Sequence, residues 1–217
     1  DVQIRRPRTF YALDEDLGYV DSGSLGGKDI LEISQGLHSL VAGLYEKGFG
    51  PVAVGIDAPR MGLPDPRRWY WRKAAWVPRS AAERGYGRHC EVVVKALGLG
   101  NPQWTRLVED SPPWMQLGYR LFAALEGLAE THEVFPSASY RMLQGVDHPA
   151  IALVLKGFEG QIKDMLDACV AAYSVWAFRN GRGVEVGGGD GLGTIALPEK
   201  LKVPGSHPVL HWPEAQA

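Results

Sequence analysis

Asp167 stands alone among Met165, Leu166, Ala168, Cys169, Val170, Ala171, Ala172 and Tyr173, in a stretch whose helix would be apolar nearly all round and therefore buried. A buried ionised carboxylate is strongly destabilising unless a cation or strong donors compensate it, so this residue must have a partner. Asp164 lies three residues earlier on the same helical face, about 5 to 6 Å away between Cβ atoms, where two like charges repel. A divalent cation between or beside them removes the conflict. The plainer alternatives are an ion pair from Asp167 to an arginine such as Arg60 or Arg141, and solvation for Asp164. Asp57 closes the apolar run Val52 to Ile56, and open α/β sheets place their ligands at the carboxyl ends of strands. As a turn former or helix cap before Pro59 it would do no chemistry. Glu133, at the start of a strand after a helix, is open to both kinds of reading.

A second group carries the opposite charge. Arg60, Arg67, Arg68, Arg72, Lys73, Arg79, Arg84 and Arg88 interleave with Trp69, Tyr70, Trp71, Trp76 and Tyr86, opposed by only Asp65 and Glu83. Guanidinium groups beside aromatic faces hold phosphates and stack bases, which makes Arg60, Arg67, Arg68, Trp69, Trp71, Arg72, Lys73 and Arg88 candidate nucleic-acid contacts. The same segment could instead pack its tryptophans on the domain or on a second copy, as a homodimer, with the arginines turned outward. The run Gly187 to Thr194 lacks the Gly-Lys-Ser/Thr ending of a phosphate loop and opens no helix, so it reads as a tight turn between strands. The six histidines show no metal-ligand spacing, and no Gly-x-Ser-x-Gly elbow points to a serine hydrolase.

The elements that must position these residues follow from periodicity. Thr9 to Leu13 and Tyr19 to Ser22 read as a hairpin around Asp14 to Gly18. Ile30 to Lys47 reads as a helix with a stripe at Ile30, Ile33, Leu37, Leu40, Val41 and Leu44, stopped by Gly48. Val52 to Ile56 suits a central strand. Residues 60–113 read as an insertion, helical only from Ser80 to Leu97 behind the capping pair Ser80 and Glu83. Further helices are expected at Met115 to Ala129 and Gln161 to Asn180. Short strands are expected at Glu133 to Phe135, Val184 to Val186 and Thr194 to Leu197. An antiparallel opening followed by strand and helix alternation makes a mixed α/β sheet with helices on its faces.

The 217 residues, 45% hydrophobic and 22% charged, suit one globular domain spanning 1–217 with a proline-rich tail at 199–217. The net charge of −2 argues against coating nucleic acid by bulk charge and leaves a local basic patch open. Met165 to Phe178 is interrupted by Asp167 and too short to span a bilayer, so no membrane segment is expected. Cys90 and Cys169 are too few for a disulfide framework or a zinc site, which points to the cytoplasm. The sequence opens at Asp1 with no basic and apolar leader; no secretory signal is expected, and native residues are expected upstream of Asp1.

Several phrases together resemble domain-of-unknown-function family 429, regarded as a predicted nuclease of RNase H-like fold. They are Gly55-Ile56-Asp57-Ala58-Pro59 with Gly62-Leu63-Pro64, Arg88-His89-Cys90-Glu91, Glu133-Val134-Phe135-Pro136-Ser137-Ala138-Ser139, Lys163-Asp164-Met165-Leu166-Asp167-Ala168 and Gly193-Thr194-Ile195-Ala196-Leu197-Pro198, in order along the chain. The resemblance implies an RNase H-like mixed five-stranded sheet flanked by helices, with the basic and aromatic insertion after the fourth strand. It also implies that Asp1, Asp57, Asp164 and Asp167, with Glu133 as a further candidate, hold Mg²⁺ or Mn²⁺. Two such ions, about 3.5–4 Å apart, would activate water and stabilise the leaving oxygen during phosphodiester cleavage. Family members normally carry a glycine and an apolar residue before the first aspartate, and nothing precedes Asp1 here. The expected activity is a metal-dependent nuclease. The alternative is a non-catalytic nucleic-acid or nucleotide binding module on the same fold, with structural acids.

Overall fold

The computed structural model describes residues 2, 8–145, 151, 153–155 and 160–213; Asp1 and the end of the tail lie outside them. Among the described residues the chain is mixed α/β, with five α-helices and eight strands paired two by two. Strands β1 (Arg8–Leu13) and β2 (Tyr19–Leu25) form an antiparallel hairpin. Asp14 makes its turn, its carboxylate accepting from the Asp16 and Gly18 amides at 3.0 and 2.6 Å. Helix α1 (Ile30–Glu46) follows, capped by Asp29, whose side chain accepts from the Glu32 amide.

Strand β3 (Ala53–Ile56) pairs in parallel with β6 (Glu130–Glu133), Ile56 opposite Glu133. A parallel bridge from Val134 to Ala196 joins this pair to β8 (Thr194–Leu197), which is antiparallel to β7 (Val184–Gly187). Helix α5 (Ile162–Arg179) crosses β1, β3 and β8 on one face. Met165, Ala168 and Cys169 pack with Tyr11 of β1, while Ala171 and Val175 pack with Val134 and Ala196. On the other face α1 and α3 (Pro113–Ala124) enclose Ile33, Leu37, Val41, Leu117, Leu121 and Phe122 with Ile56 and Ala58.

Alternation along β3 decides where Asp57 goes. Val54, Ile56 and Ala58 join the α1 and α3 side, so Ala53, Gly55 and Asp57 fall to α5. Gly55 allows the approach: a Cβ there would lie 2.9 Å from Val175 Cγ2 and 3.1 Å from the Ala171 carbonyl oxygen.

Residues 60–113 depart from expectation in detail. Trp69–Arg72 (β4) and Ala75–Pro78 (β5) form a hairpin around Lys73 and Ala74, both at positive φ, the geometry of a primed two-residue turn. The helix expected from Ser80 begins only at His89 (α2, His89–Ala96). Ser80 and Glu83 do bond, but Gly85 and Gly87 lie in the left-handed region and end any helix there. Helix α2 is wedged against β7 and β8, with Cys90, Val92, Val93 and Val94 buried beside Val186, Ile195 and Leu197. The strand expected at Glu133 to Phe135 runs from Glu130 to Glu133, because Phe135 and Pro136 open an additional helix, α4 (Pro136–Leu143).

Candidate functional site

The carboxyl ends of β3 and β6 open into a cavity of about 570 Å³, lined among the described residues by Asp57, Glu91 and Glu133 and walled by Pro102, Pro113, Trp114, Val134, Phe135 and Ile195. Asp57 keeps some accessible surface toward this space while protein crowds it on the other sides. It accepts no hydrogen bond from a described residue, so it is neither a turn former nor a cap. Burial pushes its carboxyl up to about 6, with the Asp167 and Glu133 charges adding to the shift. The Lys163 charge opposes that shift.

Asp167, on α5, is buried and lies in electrostatic reach of Asp57. Its partners are Tyr140 of α4, donating from Oη at 2.9 Å, and Lys163 one helical turn earlier, with Nζ at 2.5 Å. Burial and then the Asp167 charge raise the Tyr140 hydroxyl well above its ordinary range, so it remains a donor. The compensating cation is thus the exposed Lys163 rather than an arginine. Asp164 is buried as well, and its carboxylate accepts from the Gln161 amide at 3.3 Å, closing the first turn of α5. Both acids lie on α5, and the helix end supplies its own positive field at Asp164. Asp1 lies outside the described residues.

Glu133 belongs to a separate, fully paired network. Arg88, wholly buried at the amino end of α2, donates through Nη1 to Glu133 at 2.8 Å and through Nη2 to both Glu133 and Glu91. Glu91 also receives Arg88 Nε at 3.1 Å, the Thr105 amide at 2.9 Å and the Thr105 hydroxyl, while Glu133 takes the Arg60 amide at 2.9 Å. Burial pushes the Glu133 carboxyl up, and Arg88 opposes that shift. Glu91, Glu133 and Cys90 bring their ligand atoms within 4.8 Å of one another, the one such group among the described residues. Burial raises the Cys90 thiol far above its ordinary range, and Arg88 already supplies the positive charge. These donors suit an ion network better than a cation. Its sequence trace was the Arg88–Glu91 spacing, but only folding brings in Glu133 from β6.

The candidate nucleic-acid contacts divide by exposure. Arg88 is internal. Arg60 donates to the Thr131 hydroxyl and carbonyl at 3.0 and 2.5 Å and lies 4.4 Å from the Phe122 ring centre. Arg67 is buried over Tyr70 and Trp104. Trp71 packs edge-on against Trp76 and near His207, and Trp76 packs against His89 and Trp212. Arg68 and Lys73 face solvent, Trp69 is half-buried, and exposed Arg72 pairs with Glu83. The glycine-rich run is the β7–β8 turn, where Asp190 accepts from the His89 amide at 2.6 Å and so caps α2. Both cysteines are free and buried, and no described helix is long and apolar enough to cross a membrane.

No protein-family model matches the chain, and no solved structure matches it. A stretch of 70 residues, 30% of this chain, is 41% identical to part of the polyketide synthase GfsB of Streptomyces halstedii. The match spans about 1% of that synthase's length.

Proposed function

We propose that this protein is a metal-dependent nuclease of RNase H-like fold that cleaves phosphodiester bonds with Mg²⁺ or Mn²⁺ held at Asp57 and Asp167. The observation that carries the reading is the Asp57 carboxylate, which accepts no hydrogen bond from a described residue, in electrostatic reach of Asp167, at the strand end beside a cavity. A cation fits this donor set, because Asp57 and Asp167 both offer carboxylate oxygens and the Asp167 and Glu133 charges push the Asp57 carboxyl up. The described strands run β2-β1 and β3-β6-β8-β7 beneath α5, and an RNase H-like sheet needs one more strand between β1 and β3. In this reading Asp1 completes the acidic set.

When bound, a divalent ion polarises a phosphoryl oxygen and makes its water a better nucleophile. Asp57 would hold the ion from the end of β3. Tyr140 and Lys163 fix the Asp167 carboxylate so that it needs little reorganisation to serve. The apolar walls of Val134, Phe135 and Ile195 lower the local polarity on one side of the space and so strengthen the acids' hold on a cation. Asp164 keeps the first turn of α5 closed, and so positions Asp167.

Calorimetric Mn²⁺ titration tests the reading, alongside a cleavage screen on single-stranded, duplex, hybrid and branched substrates. Binding is expected in the wild type and lost in Asp57→Asn and Asp167→Asn, with cleavage lost in parallel. Absence of binding and of cleavage in the wild type overturns it. The Lys163–Asp167 pair and the Arg88 network favour a second reading, a nucleic-acid or nucleotide binding module with structural acids. It predicts that Asp167→Asn lowers stability and leaves nucleic-acid affinity unchanged.

A further inference from the structure

The cavity beside Asp57 has two unlike linings. Asp57, Glu91 and Glu133 make one of them carboxylate-lined, the two glutamates being paired with Arg88 behind it, and no lysine or arginine among the described residues lines the space. Pro113 and Trp114, the first turn of α3, contribute the other together with Phe135, Pro102 and Gln103. Helix α3 starts without a side-chain cap and without an acid in its first turn. Pro113 has no N–H and the Met115 and Gln116 amides donate to the Pro112 carbonyl, which leaves the Trp114 amide with no partner among the described residues to carry the helix end's partial positive charge. Trp114 and Phe135 are each half-buried, so one part of each ring is packed and another borders the cavity.

Three constraints follow for an occupant. The volume suits one small-molecule-sized unit, and a paired duplex cannot enter it. The rings suit a planar, apolar-faced group. A phosphate is attracted to the amino end of α3 and repelled by the acids unless a cation stands between.

Resting on the metal-dependent nuclease reading, we infer that the cavity takes one unpaired nucleotide of a single strand. Its base lies against Trp114 and Phe135, and its phosphate lies between the amino end of α3 and Asp57. The substrate class is therefore unpaired nucleic acid, a single strand or a strand end. Recognition by ring stacking makes it tolerant of sequence, since every base offers a flat face.

Fluorescence anisotropy of a labelled short oligothymidylate tests this, single-stranded and annealed to its complement, in Mn²⁺ and in EDTA. The proteins are the wild type, Trp114→Phe and Trp114→Leu, leucine being chosen to keep the packing side filled. The single strand is expected to bind at least tenfold more tightly than the duplex in Mn²⁺, with the preference lost in EDTA. Trp114→Leu should weaken single-strand binding by about tenfold, the scale of one base–aromatic contact, and Trp114→Phe should restore most of it. Equal affinity for duplex and single strand, or wild-type affinity in Trp114→Leu, overturns the assignment. Calorimetry on the same samples separates the two levels: Mn²⁺ binding without strand preference removes only the nucleotide assignment, whereas no Mn²⁺ binding removes the metal reading beneath it.

Discussion

At the scale of single residues, Asp57 and Arg88 show opposite treatments of buried charge. Asp57 has a carboxyl raised to about 6, against roughly 3.9 in an unfolded chain. An acid raised in the native state holds its proton longer there than when unfolded. Its contribution to stability is present below about pH 4 and is lost as pH rises through about 6. The shift of about two units corresponds to about 3 kcal/mol as an upper bound, reduced by the solvent that reaches Asp57 through the cavity. Metal-free Asp57→Asn should therefore be more stable than wild type by about 1–3 kcal/mol at pH 7, with the gap closing toward pH 4. Urea unfolding in EDTA at several pH values reads this directly, and a gap independent of pH would contradict it. Arg88 is the reverse case, a charge with every neighbour arranged for it. Arg88→Met leaves Glu91 and Glu133 buried without their cation, and should cost about 3–5 kcal/mol in the same assay. A loss below about 1 kcal/mol would mean that the network relaxes around the deletion.

At the scale of elements, the placement of Asp57 against Asp167 depends on how closely α5 lies on β3. Gly55→Ala puts a methyl 2.9 Å from Val175 Cγ2 and 3.1 Å from the Ala171 carbonyl oxygen, with Val134 Cγ1 at 3.2 Å. The helix must give way, at about 1–3 kcal/mol for overpacking. Since Asp167 is one turn before Ala171, the variant should weaken Mn²⁺ binding severalfold by calorimetry while remaining folded by circular dichroism. Undiminished binding would show that the two acids are not coupled through this contact. The helices α1 and α5 were legible in the sequence almost to the residue, because each has a long periodic pattern and a clear stop: Lys47-Gly48 for one, Asn180-Gly181 for the other. The hairpin β4–β5 was not, since four-residue strands of tryptophan and arginine carry no usable alternation and the Lys73-Ala74 turn lacks the usual Asn-Gly signal. Helix α4 was hidden because Pro136 reads as a breaker where it occupies the first helical turn. For the site, Asp167's need of a partner was legible from its apolar surroundings. Tyr140 as its partner, and Glu133 as the partner of Arg88, were not, because tertiary pairing between elements leaves no spacing signal.

At the scale of the whole molecule, the charges separate into two surfaces that a net value of −2 conceals. The cavity beside Asp57 carries acids and no described lysine or arginine. Arg68, Lys73, Arg79 and Arg84, on and beside the β4–β5 hairpin, are exposed. Phosphates distant from a cleaved bond would find their counter-charge there rather than at the acids, so affinity for a long strand and chemistry at one linkage belong to different parts of the chain. Each lysine or arginine that neutralises a phosphate of a single strand contributes about 0.7 to the slope of log K against log salt. Arg68→Ala with Lys73→Ala should lower that slope by about 1.4 and weaken a long strand far more than a dinucleotide. The residues Arg60, Arg67 and Arg88, engaged inside the protein, should contribute nothing to it. Trp114→Leu should shift the whole salt curve downward without changing its slope, because stacking releases no counterions. Binding of long and short strands measured across a salt series distinguishes these outcomes. A slope unaltered by the double substitution would take the hairpin out of nucleic-acid contact and leave its tryptophans as packing for α2 and the tail.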